Sequence, residues 1–310
     1  MARKLGLALG SGAARGWAHI GVLRGLEEIG VAPDVIAGCS VGALVGGAYL
    51  CDALEAFETW ARELSPLSAV SSFSLSPGPG GIIDGRAAFS AFAEFDRSIE
   101  DLPARFGAVA TDIGSGAEVW LKDGPLLPAL RASSAIPVLF HAIERDGRWL
   151  VDGAVSNPTP VSLARDLGAD IVVAVDLTAV PKVLERFDPP PPSVPAVVKR
   201  PAVTAPAKLT DAVTRLIEDT QRWVSDQLAL ARARQQARPQ LFETAYATAD
   251  IFQMHLSQAR LQLDKPDVLL KPDMRDATPI SFDRADEFIE EGRQALIAQR
   301  GAIERALDRA

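Results

Sequence analysis

The chain has 310 residues, 48% of them hydrophobic, enough to bury one large core or two smaller ones. Its formal net charge is −8, and an acidic chain without a basic tract argues against nucleic acid and against simple electrostatic docking on anionic lipid. It carries 2 cysteines and 3 histidines without metal-ligand spacing, so neither a disulfide nor a transition-metal site is expected, and a reducing compartment is the simplest inference.

The first residues, Met1 to Gly10, hold an apolar stretch that is too short and too glycine-broken for a signal peptide. No apolar run approaches the roughly 20 residues that span a bilayer. Leu5 to Leu9 reads as a short buried strand that ends in Gly10-Ser11-Gly12-Ala13-Ala14-Arg15-Gly16. A helix follows, with Trp17, Ile20, Leu23, Leu26 and Ile29 at helical spacing and Gly30 as its stop. Unpaired amides converge where a strand, a glycine loop and a helix start meet, which makes an anion site. The spacing Gly-x-Gly-x-x-x-Gly is neither the dinucleotide fingerprint nor a Walker loop. A phosphate loop, an oxyanion hole and a plain packing loop all stay open at this point.

Val35-Ile36-Ala37 then leads into Gly38-Cys39-Ser40-Val41-Gly42, a Gly-x-Ser-x-Gly pentapeptide, and a small-residue helix runs on to Tyr49. Strand, sharp turn and helix are the setting of a nucleophile elbow, with Ser40 at its tip. A Cβ at Gly38 or Gly42 would crowd the crossing of strand and helix. The bland alternative is a glycine-lined turn around a buried serine. In a right-handed βαβ unit both loops emerge at the carboxyl ends of parallel strands, so the amides from Gly10 to Ala13 could face an oxygen held beside Ser40.

Glu55 to Phe95 looks helical with an interruption, and the Ser-, Pro- and Gly-rich stretch Ser65 to Gly81 reads as a surface loop or a lid. Strands are expected at 104–113 and 116–121, and a helix at 125–135 that closes on Ser133-Ser134-Ala135-Ile136-Pro137. A short strand, 148–151, delivers Asp152-Gly153-Ala154; a helix at 159–167 and an apolar strand of parallel type at 170–177 complete this part.

The glycine loop, the elbow, the Ser133–Pro137 block and Asp152-Gly153-Ala154 occur in that order, and together they resemble the patatin-like phospholipases, in particular the bacterial branch similar to neuropathy target esterase. The resemblance covers about Lys4 to Leu177. It implies a three-layer α/β sandwich with a mostly parallel central sheet. It also implies a serine esterase or phospholipase with Ser40 as nucleophile, Asp152 as its partner, Gly153 and Ala154 completing the acid motif, and an oxyanion hole of Gly10, Ser11, Gly12 and Ala13. The substrate would be a lipid or another acyl ester, with no cofactor and no metal. Ser11 stands where many members have a third glycine, which leaves open which amides face the oxyanion.

Arg15 is expected to brace the loop and His19 to pack or cap beneath it; Asp112, Cys39 and Cys51 read as structural. His255 alone among the histidines follows Asp152, and it lies in a helical run, so a dyad is expected rather than a serine–acid–histidine triad. From Thr178 prolines crowd the chain. We expect a catalytic domain at 1–177, a proline-rich linker at 178–208 and a mainly helical C-terminal extension at 209–310 that packs on the catalytic domain. Within it we read helices at 209–238, 251–263 and 284–309, and a strand at 266–271 on the sheet edge. The expected location is cytoplasmic, with transient contact at a membrane surface as an additional role; the oligomeric state is left open. A regulatory or adaptor protein on the same scaffold is the competing reading.

Overall fold

The computed structural model describes residues 3–64, 75–83, 97–178, 241–274, 277–278 and 281–308. The chain forms two units, one of residues 1–181 together with 249–310, the other of 182–248. In the second unit the described residues, 241–248, are the opening turns of a helix. The sequence reading has a C-terminal extension that packs on the 1–177 domain, and residues from 249 onward belong to the first unit.

That unit is built on a central sheet of strands β1 (Leu5–Leu9), β2 (Val35–Cys39), β5 (Arg105–Asp112), β6 (Glu118–Leu121), β8 (Ile143–Arg145), β9 (Arg148–Asp152), β10 (Ile171–Val175) and β11 (Val268–Leu270). Their order is β11-β10-β1-β2-β5-β9-β8, and β6 pairs with β5 off this path. Strands β11, β10, β1, β2 and β5 run parallel, as expected where both faces are covered. Helices α1 (Ala18–Glu28), α2 (Val41–Leu50), α3 (Leu54–Glu63), α4 (Leu126–Ser133), α5 (Val161–Asp166), α6 (Leu241–Leu263), α7 (Ala285–Ala298) and α8 (Arg300–Asp308) surround the sheet.

Side chains alternate between two faces along each strand, and the faces differ in residue size. Leu5, Leu7, Leu9, Ile36, Phe106, Ile171, Val173 and Val175 share one core with residues of α1, α2, α3, α4 and α7. Ala8, Val35, Ala37, Val109, Val172 and Ala174 face the other, with Val161, Leu163 and Ala164 of α5 and Leu261 of α6. The result is the expected three-layer arrangement, with a thick apolar layer on one side and a close one on the other. A fully buried leucine or isoleucine contributes roughly 1.5–3 kcal/mol, so the larger face dominates the stability.

Helices α1 and α7 cross backbone to backbone. A Cβ at Gly21 would lie 1.7 Å from the Ile289 carbonyl oxygen, and one at Gly292 would lie 1.9 Å from that of Ala18. Only glycine permits this approach.

Four differences from the sequence reading have local causes. The Ser-, Pro- and Gly-rich stretch holds strand β3 (Leu75–Gly78) and leads into β4 (Gly81–Ile83), which pairs with β3 and with β7 (Val138–Phe140) in a small second sheet. Strand β8, unforeseen, pairs with β9 across Asp146-Gly147, whose positive φ values of 52° and 71° suit a tight hairpin. Helix α6 begins at Leu241, ten residues before its expected start, and the terminal helix breaks at Gln299 into α7 and α8. The helix expected at 209–238, the linker beyond Thr178 and the 65–74 part of the loop lie outside the described residues.

Candidate active site

Strand β5 brings the two halves of the site together. One of its edges pairs with β2 from Arg105 to Val109, with Cys39 opposite Val109. The same edge then pairs with β9, with Asp152 opposite Ala110. The other edge is taken by β6, which faces residues 108–111. Strands β2 and β9 therefore meet end to end, both at their carboxyl termini, and Ser40 is the next residue after Cys39.

Ser40 Oγ donates to Asp152 Oδ2 at 2.7 Å. Asp152 Oδ1 accepts from the Ala154 amide at 2.8 Å. Among the described residues the Asp152 carboxylate has no further partner. Both residues are buried, at 6% and 3% exposure, so the pair works outside bulk water. Burial pushes the Asp152 carboxyl up to about 6, against the bonds from Ala154 and Ser40, which favour its charged form.

Ser40 sits at φ 55°, ψ −124°, a strained backbone for a residue with a side chain, and α2 begins directly after it. The tight crossing requires the flanking glycines. A Cβ on Gly42 would lie 2.2 Å from the Leu9 carbonyl oxygen, and one on Gly38 2.3 Å from Ala43 Cα. A Cβ on Gly153 would likewise meet the Val109 carbonyl oxygen at 2.3 Å. The Ser133–Ala135 segment ties both halves by accepting from their backbone amides. Ser133 Oγ accepts from the Ser40 amide at 2.9 Å, and the Ala135 carbonyl accepts from the Asp152 amide at 2.9 Å. The sequence reading gave Ser133 no role; its position 93 residues away, at the close of α4, offers no local signal for one.

The glycine loop lies beside the elbow, since a Cβ on Gly16 would meet Val41 Cγ1 at 2.2 Å. Its amides divide into two sets. The Gly10 amide donates to the Val175 carbonyl at 3.1 Å and the Ser11 amide to the Pro158 carbonyl at 2.8 Å. These two of the four expected oxyanion donors are already engaged, so they act as anchors of the loop. The amides of Gly12 and Ala13, and that of Val41 at the start of α2, have no partner among the described residues. Ala13 holds φ at 49°, the left-handed region, which costs a non-glycine residue about 1 kcal/mol or more.

His19 is fully buried beneath the loop, with Nε2 2.7 Å from the Gly10 carbonyl oxygen. Burial pushes its ring down to about 4, so it is neutral at ordinary pH and Nε2–H is the donor. Arg15 Nε donates to the Gly12 carbonyl at 3.2 Å, and Arg15 Nη2 pairs with Asp250 of α6 at 2.7 Å. His255 is exposed on α6, and His141 belongs to the small second sheet's neighbourhood, beside Gly78. Cys39 and Cys51 are both buried. Among the described residues no group of three His, Cys, Asp or Glu side chains is placed to hold a metal, and no helix is long and apolar enough to cross a membrane.

A sequence model of the patatin-like phospholipases matches residues 7–165, which is the stretch holding both loops, the elbow and Asp152. The chain belongs to the patatin-like phospholipase family. Within it, an uncharacterized NTE family protein of Mycobacterium tuberculosis is 40% identical over 176 residues, 56% of this chain and 49% of that one. Human patatin-like phospholipase domain-containing protein 6 is 35% identical over 184 residues, 56% of this chain and 13% of that protein. The chain thus spans about half the length of the mycobacterial relatives it matches. The crystal structure of VipD from Legionella pneumophila aligns with 99% of this chain and 67% of that one, at a TM-score of 0.45 and 10% identity. Helix α6, which bears Asp250, lies beyond the residues that the family model matches.

Proposed function

We propose that the protein is a serine acyl hydrolase of lipid esters, acting on phospholipids or lysophospholipids. The observation that carries this reading is the buried 2.7 Å bond from Ser40 Oγ to Asp152 at a strained elbow. Ser40 attacks the ester carbonyl while Asp152 takes the hydroxyl proton. A carboxyl with its pKa near 6 is a far better base than an exposed one, and it is still largely ionised at neutral pH. The negative charge that develops on the carbonyl oxygen is met by the free amides of Gly12, Ala13 and Val41. The leaving alcohol takes the proton from Asp152, and water, deprotonated by the same carboxylate, then releases the acid from Ser40.

Membership in a family named for phospholipases supports a lipid substrate. The test is labelling with a fluorophosphonate, alongside release of fatty acid from phosphatidylcholine and lysophosphatidylcholine. Labelling and release should both vanish in Ser40→Ala. A wild-type protein that neither labels nor releases fatty acid favours the adaptor reading instead.

A further inference from the structure

Helix α6 carries a polar stripe at Asp250, Gln253, Ser257 and Arg260, a spacing that places all four on one side of the helix. Each reaches a different point around the site. Asp250 takes Arg15 Nη2 at 2.7 Å, and Gln253 Oε1 accepts from Ser11 Oγ at 3.1 Å. Ser257 Oγ lies 3.0 Å from Thr159 Oγ1, next to Pro158, whose carbonyl anchors the Ser11 amide. Arg260 pairs with Glu118, which also accepts from Asn157 Nδ2. The first two contacts bear on the loop that holds the free amides.

The peptide joining Gly12 and Ala13 is trans, like the rest of the described chain. In a trans peptide the carbonyl and the N–H point in opposite directions. The Gly12 carbonyl is held by both Nε and the backbone amide of Arg15, at 3.2 and 3.1 Å. Fixing that oxygen fixes the direction of the Ala13 N–H. The guanidinium is in turn held by Asp250, and both side chains are buried, at 4% and 9% exposure. We propose that Asp250 and Gln253 are positioning residues for acyl transfer, aiming the Gly12 and Ala13 amides through Arg15 and Ser11. The inference rests on the serine hydrolase reading of Ser40.

The rationale is geometric. A preorganised donor acts only when it is already aimed at the charge that develops. Ala13 is held in a left-handed conformation that it would leave if released. Asp250→Asn keeps the side-chain shape and an acceptor but removes the charge that holds the guanidinium.

The experiment compares Asp250→Asn, Asp250→Glu and Gln253→Met with the wild type on a soluble butyryl ester. Active sites are counted by fluorophosphonate titration, and a trifluoromethyl ketone, which forms an oxyanion adduct on serine, reports the hole itself. Asp250→Asn should lower kcat per titrated site by roughly 10–100-fold with KM within about twofold, and weaken the ketone by the same factor. Asp250→Glu should recover part of both, and Gln253→Met should lose roughly two- to tenfold in both. Phe252→Ala and His255→Ala, exposed positions on the same helix, should change neither. The inference is overturned if folded Asp250→Asn keeps kcat per site and ketone affinity within about twofold, or loses only KM. Should Asp250→Asn fail to fold, Gln253→Met decides by the same criterion. Ser40→Ala runs in parallel. Activity surviving there sinks the hydrolase reading itself, whereas an inactive Ser40→Ala beside an unaffected Asp250→Asn sinks only the positioning role.

Discussion

Ser40 and Asp152 meet because their strands end against neighbouring residues of one strand edge, Cys39 opposite Val109 and Asp152 opposite Ala110. The 2.7 Å bond between them is thus set by sheet register, not by a flexible loop. A slip of one residue on either side would turn a side chain to the opposite face and separate the pair. That rigidity bears on how mutations should read out.

Asp152→Asn should lower kcat by at least ~100-fold, the scale of general-base catalysis. The fold should survive, since the amide can still accept from Ala154 or Ser40. His141→Ala and His255→Ala should each cost less than about tenfold on that scale. Steady-state kinetics on a soluble ester separates these outcomes. A loss in His255→Ala equal to that of Asp152→Asn, in a folded protein, would mean that a histidine completes the site.

Activity should rise with pH through about 6 and level off above it, because Asp152 must be ionised to accept the serine proton. His19, pushed down to about 4, is neutral across this range and adds no limb of its own. The profile of kcat/KM from pH 5 to 8 tests this, as round limits either side of that midpoint. A midpoint near 4 would show the carboxyl to be as well solvated as an exposed one.

The same residue should be costly to the fold. An acid whose folded pKa is raised holds its proton more tightly when folded. The stability it brings is complete below the ordinary value of 3.8 and is lost as pH rises through about 6. The loss at neutral pH is about 3 kcal/mol. Asp152→Asn should therefore gain about 3 kcal/mol on the wild type between pH 4 and pH 7, measured by urea unfolding at each pH. His19 has the opposite sign. Its folded pKa is depressed from 6.5, so its stabilisation is present above 6.5 and lost as pH falls through about 4. In Asp152→Asn the His19 slope should remain while the Asp152 one is gone. Parallel curves for mutant and wild type would count against a perturbed Asp152.

Gly292→Ala should destabilise the protein by about 3 kcal/mol or more, because the new methyl would sit 1.9 Å from a backbone oxygen of α1 that cannot yield. Gly301→Ala is the comparison. Its methyl would meet only the tip of the Arg305 side chain, at 3.2 Å, and alanine favours a helix by about 1 kcal/mol. Denaturant midpoints should move in opposite directions. A tolerated Gly292→Ala would mean that the two helices can part without loss.

The short motifs were legible because each is a local solution to a local problem. Gly38 and Gly42 announce a tight crossing, and Asp152-Gly153 a strand end at a turn. The parallel strands were legible too, as apolar runs of the right length. What escaped has a common cause, which is pairing with distant or minimal partners. Strands β3, β4 and β7 have only three or four residues each, and β3 and β4 include glycine, so no periodicity develops. Asp146-Gly147 is a hairpin signal, and it marks the turn between β8 and β9. Asp250, Gln253, Ser257 and Arg260 look in sequence like the solvated side of an amphipathic helix. Their partners stand at Arg15, Ser11, Thr159 and Glu118, and nothing local links the two sets. The same distance hid the division of labour in the glycine loop, where Pro158 and Val175 supply the acceptors that occupy two of its amides.

The backbone approach of α1 and α7 at Gly21 and Gly292 also has a consequence for synthesis. Helix α1 is among the first segments to leave the ribosome and α7 among the last of those described, and translation proceeds at about 5–20 residues per second. The bare glycine face of α1 and the Arg15 charge therefore wait on the order of tens of seconds for their partners. During that interval the nascent chain has its serine but lacks the helix that orders the glycine loop. On the proposed reading the glycine loop gains its supports only once translation has passed Asp250, and a product of early termination presents an open sheet edge and a buried charge left unpaired, features that quality-control proteases and chaperones engage.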